Sequence, residues 1–226
     1  MGENYMFDFI KRLFTKKPAR QFSAEEYERH AEAKTAAMET ILGPMHDMVG
    51  HAVIPFQVGG AVDMYYFPNC MPGTAFATME LIDPDGKGPR PNRLGTYELV
   101  AFTRHAIPAD GSGGRDKGPF GQIEQRIWAI FTTVGHYGRQ AVLNPGETCE
   151  VPAGEGQQEL CLLFDTYAKD GGEFEIDGQK HSLLLCIEVF REEMEYAMEN
   201  GSKALIEKLK AAACYPYSDL DRDPVV

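Results

Sequence analysis

The chain has 226 residues, 43% of them hydrophobic and 25% charged, and 22 Lys and Arg stand against 34 Asp and Glu for a formal net charge of −12. That apolar content supports a sizeable core and excludes disorder over the whole chain. The acidity argues against nucleic acid as the main partner and against an anionic membrane surface, because both demand clustered cations.

The first 42 residues read as a helical segment. Residues 5–14 carry Phe7, Ile10, Leu13 and Phe14 at helical spacing, beside Lys11, Arg12, Lys16 and Lys17. Such a stripe docks on its own domain or on a second copy, which makes this helix the expected contact of a homodimer. Anchoring to a membrane surface is the rival reading. Pro18 ends the segment. Ser23 and Glu26 then form a capping box, and a helix free of Pro and Gly follows until Gly43-Pro44. Its face of Tyr27, Ala31, Lys34, Met38 and Ile41 is only partly apolar, so the helix is expected at the periphery.

Residues 43–226 read as one domain. Strands are predicted at 51–58, where Pro55 bends the chain, at 62–67, at 74–82 and at 95–103, with turns at Gly59-Gly60 and at 83–86. Residues 87–94 form a proline-rich loop, and 109–118 a glycine-rich one. The stretch 122–138 is the best core helix, with Ile123, Ile127, Ile130, Phe131 and Val134 in register and Trp128 at the edge of the stripe. Strands follow at 160–164 and 174–176, and Asp177-Gly178 is a hairpin turn. The apolar run 182–190 suits a central strand buried on both faces. Helices at 191–200, closed by Gly201, and at 203–213 precede a polar, irregular tail. No repeat or long linker divides the chain. The fold class is therefore α+β: a single domain with a mixed, mostly antiparallel β-sheet packed against flanking helices.

Chemistry-bearing motifs are scarce. None of the five serines lies in GxSxG. Gly86-Lys87-Gly88-Pro89 lacks phosphate-loop spacing, and Pro89 removes a donor. His46 and His51 are five apart with no third ligand nearby, so neither a metal nor a cofactor is expected. His136, near a helix end, has a structural role. The five cysteines are odd in number, contain no CxxC, and place Cys161 and Cys186 in apolar strands, which fits a reducing compartment. With no signal peptide and no span of about 20 apolar residues, a soluble cytoplasmic protein is expected. Glu80 and Glu98 lie on neighbouring strands and, with a histidine, could serve a hydrolase-like enzyme of glycosidase type. The plainer reading leaves both on solvated strand faces. Glu188, inside an apolar strand, calls for an Arg or Lys partner if buried.

Three stretches together resemble the suppressor of fused domain family. They are residues 62–67 with 74–80, the strand Gly95-Thr96-Tyr97-Glu98-Leu99, and the carboxy-terminal series of buried strand 183–187, Glu192-Glu193-Met194-Glu195, Gly201, 205–209 and Leu220-Asp221-Arg222. The resemblance covers residues 41–226 and is nearest to the single-domain bacterial type. It implies a mixed sheet packed against helices and a non-catalytic protein-binding role. Animal members grip a short peptide of a transcription factor, partly by strand addition, and bacterial members resemble immunity proteins that neutralise toxins. A protein or peptide partner, a basic toxin domain among the options, is the implied ligand. Asp63, Tyr65, Glu80, Tyr97 and Glu98, on the strands that carry the resemblance, are the residues expected to touch it.

Overall fold

The computed structural model describes residues 22–109, 118–152, 159–167 and 172–226. The predicted helix at 5–14, the dimer contact assigned to it, and most of the glycine-rich loop at 109–118 lie outside the described residues.

Eight strands form one sheet: β1 (Val49–Gly50), β2 (Met64–Phe67), β3 (Thr74–Ala77), β4 (Thr96–Thr103), β5 (Thr148–Val151), β6 (Leu160–Thr166), β7 (Glu173–Ile176) and β8 (Gln179–Val189). Their order is β1-β2-β3-β4-β8-β6-β5, with β7 paired to the first residues of β8. The β4–β8 pairing is parallel and the others are antiparallel. Among the described residues, four helices cover the sheet: α1 (Ala24–Leu42), α2 (Pro119–Gly138), α3 (Arg191–Asn200) and α4 (Ser202–Ala211). The expected single α+β domain is thus what the chain forms.

Helices on both faces explain why β8 is so apolar. Its side chains alternate between two cores, as the two-residue period of a strand requires. Leu183, Leu185, Ile187 and Val189 join the core under α1, α3 and α4, while Leu184 and Cys186 join the core under α2. The same alternation runs along β4, where Val100 and Phe102 face one way and Tyr97, Leu99 and Ala101 the other. The α2 stripe of Ile123, Ile127, Ile130, Phe131 and Val134 is buried as its spacing predicts. Ser23 accepts from the Glu26 N–H at 3.2 Å and Glu26 accepts from the Ser23 N–H at 2.9 Å, completing the capping box.

Three local expectations are corrected. The strand at 51–58 does not form. Val49–Gly50 alone pairs with β2, and Phe56–Val58 makes a short 3-10 turn closed by Gly59 at φ 97°. Pro55 has no N–H for a ladder, and Val53, Ile54 and Val58 are exposed, so no buried face rewards pairing. Next, β3 stops at Ala77, before the expected end at Ile82, because the backbone at Leu81 and Ile82 turns its N–H groups toward the Glu98 carboxylate. Finally, the closing segment is irregular but not a solvated tail. Tyr217, Ser218 and Asp219 are buried, and Arg222 makes a two-pronged bond to the buried Glu193 at 2.6 and 2.8 Å.

All five cysteines are free thiols. Among the described residues, no helix is long and apolar enough to cross a membrane.

Candidate functional site

The site grows from one buried carboxylate. Glu98 points to the α1 side of β4, and its alternation with Tyr97 puts the two on opposite faces. Glu98 is wholly buried. Its Oε1 accepts from the Ile82 N–H at 2.9 Å and from Lys34 Nζ at 3.2 Å, and its Oε2 from Thr78 Oγ1 at 2.7 Å and the Leu81 N–H at 3.1 Å. Lys34, on α1, spends its other two hydrogens on the carbonyls of Met79 and Ile82, both at 2.7 Å. A buried ion pair is favourable only when the remaining lone pairs and protons are satisfied, and here they are. The pair latches α1, β4 and the 78–82 segment together.

This arrangement corrects one expectation. Glu98 does not lie on a solvated face. Glu98 and Tyr97, both expected to touch a partner, are 0% and 2% exposed. Tyr97 fills the core beneath α2, and Glu98 holds the frame. With all its acceptor positions engaged, Glu98 is also unavailable to a substrate as acid or base.

The latch fixes what lies outside it. Asp63, Tyr65 and Glu80 are brought together at the margin of the sheet. The Asp63 N–H donates to Glu80 Oε2 at 2.8 Å, and the Asp63 carboxylate accepts from the Ala52 N–H and contacts His51 Nδ1, each at 2.8 Å. Burial pushes the Glu80 carboxyl up to about 8. The charges of Asp63 and Glu98 push the same way, against the Asp63 N–H and Lys34. Burial, then Glu80 and Asp63, push the Tyr65 hydroxyl up to about 12. Two acidic groups and a phenol thus share a crowded corner, with His51 set against Asp63.

Glu80 also lines a cavity of 280 Å³ between α1 and the loop after β3, with Tyr27, His30 and Lys34 from the helix and Met79, Asp83, Pro84 and Lys87 from the loop. The Tyr27 hydroxyl donates to Asp85, and Lys87 Nζ lies 2.9 Å from the same carboxylate. Sequence reasoning singled out Glu80, Asp63 and Tyr65 but missed His30 and Asp83, because nothing in the spacing places a helix turn against a loop some fifty residues later.

A larger cavity, 760 Å³, opens on the α2 face and is lined by Arg126, Glu188, Arg191 and Glu159 among others. Its charges are paired internally: Arg126 binds Glu188 through two nitrogens, one at 3.0 Å, and Arg191 binds Glu150 and Glu159. Burial raises the Glu188 carboxyl while Arg126 opposes it. The basic partner expected for Glu188 is therefore present. His136 Nε2 meets the Gly60 carbonyl at 2.8 Å, a structural contact. Among the described residues, no group of His, Cys, Asp or Glu is arranged to hold a metal. Burial raises the Cys161 and Cys186 thiols, which keeps them in the unreactive form.

No family model and no curated protein matches the sequence. Solved structures do match in fold. The structure of the Sufu–Fu complex aligns over 87% of this chain and 92% of that chain, with a TM-score of 0.58 and 14% identity. The crystal structure of Drosophila Suppressor of Fused aligns over 70% of this chain and 41% of its own, with a TM-score of 0.44 and 16% identity. The chain has the fold of a suppressor of fused domain.

Proposed function

We propose that this chain is a non-catalytic protein-binding module that docks a basic protein or peptide on the corner formed by Asp63, Tyr65 and Glu80. The observation that carries the reading is this carboxylate-rich corner held on a rigid frame by the Lys34–Glu98 latch. A net charge of −12 adds steering toward a cationic partner. The fold relative was solved in complex with Fu, which favours protein recognition over catalysis for this fold. The finer form of the proposal is an immunity protein, bacterial and cytoplasmic, whose partner is a basic toxin domain. Among the described residues β1 and β5 end the strand order, the positions at which a partner strand adds to a sheet edge.

The test uses the full chain as bait in lysate of the source cell, beside the charge-reversed variant Asp63→Lys/Glu80→Lys. A basic partner retained by the wild type in a saturable way, released by salt and lost in a folded variant, is the expected result. Retention of the same partner by both proteins removes the corner from the interface. Absence of any saturable partner overturns the reading.

A further inference from the structure

We infer that the cavity between α1 and the 79–87 loop is a socket for one lysine or arginine side chain of a basic protein partner, with His30 Nε2 and the carboxyl groups of Glu80 and Asp83 accepting its N–H groups. The inference rests on the protein-binding reading above and names the group that reading leaves unspecified.

Charge balance is the first argument. Six charged or titratable side chains line the space: Tyr27, His30, Lys34, Glu80, Asp83 and Lys87. Lys34 is neutralised by Glu98 at 3.2 Å, and Lys87 by Asp85 at 2.9 Å. Tyr27 is engaged with Asp85. Glu80 and Asp83 remain, and neither has an ion-pair partner among the described residues. Asp63 stands behind Glu80 and adds negative charge, partnered on its outer side by His51.

His30 supplies an independent observation. It is 9% exposed, and its Nε2 is buried with no hydrogen-bond partner among the described residues. Buried polar atoms without partners are uncommon and call for an explanation. Across the ring, Nδ1 lies 3.8 Å from the Asp177 carboxylate, in the β7–β8 turn. In the neutral tautomer that carries its hydrogen on Nδ1, toward Asp177, Nε2 is an acceptor. An acceptor nitrogen and two carboxyl groups call for a group that only donates. Ammonium and guanidinium are the side-chain groups of that kind.

The walls fit the rest of such a side chain. Ala31, Met79 and Pro84 give apolar surface, and a lysine or arginine lays its methylene stem along apolar surface with the charged head at the polar end. Entry of a cation favours the ionised form of Glu80, so occupancy releases a proton from that carboxyl near neutral pH.

The test is a titration of the isotope-labelled full chain, monitored by NMR at the His30 ring and the amides of residues 79–87. The probes are n-butylammonium, n-butylguanidinium and, as the uncharged control, n-butanol. Saturable shifts of the His30 ring with the two cations but not with butanol are expected. Glu80→Gln and Asp83→Asn each weaken binding by roughly five- to ten-fold, with amide spectra that show the fold intact. Asp83 is on a loop, so its variant stays informative even if Glu80→Gln unfolds. No saturable shift, equal response to butanol, or undiminished binding in Asp83→Asn overturns the socket. If a captured basic protein binds wild type and Glu80→Gln alike, the socket fails while the protein-binding reading stands. If the cations bind but the bait retains no partner, the cavity binds cations and the protein-binding reading, with the partner side chain assigned to the socket, fails.

Discussion

Lys34 and Glu98 show why a buried ion pair cannot be judged by its two charges alone. Between them they satisfy two backbone N–H groups, two carbonyls and a threonine hydroxyl. Lys34→Met leaves Glu98 buried without its cation and is expected to cost about 3–5 kcal/mol in urea unfolding. The double variant Lys34→Met/Glu98→Leu is expected to remain destabilised, because the 78–82 backbone groups lose their partners. Glu80 behaves differently. Its carboxyl sits at about 8 in the folded chain against 4.5 otherwise, so between those values the folded state binds more protons than the unfolded state. Stability therefore falls as pH rises through this window. The shift sets an upper bound of about 5 kcal/mol, and partial solvent access reduces it to about 2 kcal/mol. Thermal unfolding from about pH 5 to about pH 8.5 should show the wild type losing stability. Glu80→Gln should lose distinctly less.

Strands and helices here are held by charges placed at their joints. Glu188 interrupts the apolar β8 on the α2 face and is met by Arg126 of that helix. Arg126→Ala strands a buried carboxylate, with an expected loss of about 3 kcal/mol that Glu188→Gln in the same chain partly restores. Glycine matters at the entry to β3. Gly73 has φ 98°, and a Cβ there would stand 2.0 Å from the Thr103 carbonyl oxygen of β4. Gly73→Ala is expected to lower the thermal midpoint by several degrees without changing the socket's response to butylammonium. The β7–β8 hairpin turns through Asp177 at φ 50° and Gly178 at φ 77°. The same turn delivers the Asp177 carboxylate to His30.

For the molecule as a whole, two cores on either side of one sheet carry the stability, and no cross-link contributes. All five cysteines are free, so a reductant should leave the thermal midpoint unchanged; a drop on reduction would contradict the thiol assignment. The excess of carboxylates should make association with a cationic partner slow as ionic strength rises, most visibly in the on-rate. Stopped-flow measurement over a salt series checks this.

The helices, the hairpin and the buried β8 follow from local pattern. A 3.6-residue stripe at 123–134, a capping box at Ser23 and an unbroken apolar run at 183–187 each specify their element without outside help. The mixed sheet follows from the order of those elements. Tertiary contact alone decided the rest. Residues 51–58 have strand-like composition but bury Phe56 alone of their side chains. β3 ends early because Leu81 and Ile82 are drawn to a carboxylate on β4. Glu98 looks like any strand glutamate until Lys34 of α1 arrives. The cavity itself joins His30 to Glu80 and Asp83 across a gap that no local period spans. Local sequence dictates backbone periodicity, whereas the burial and pairing of a charge depend on which distant segment the fold lays against it.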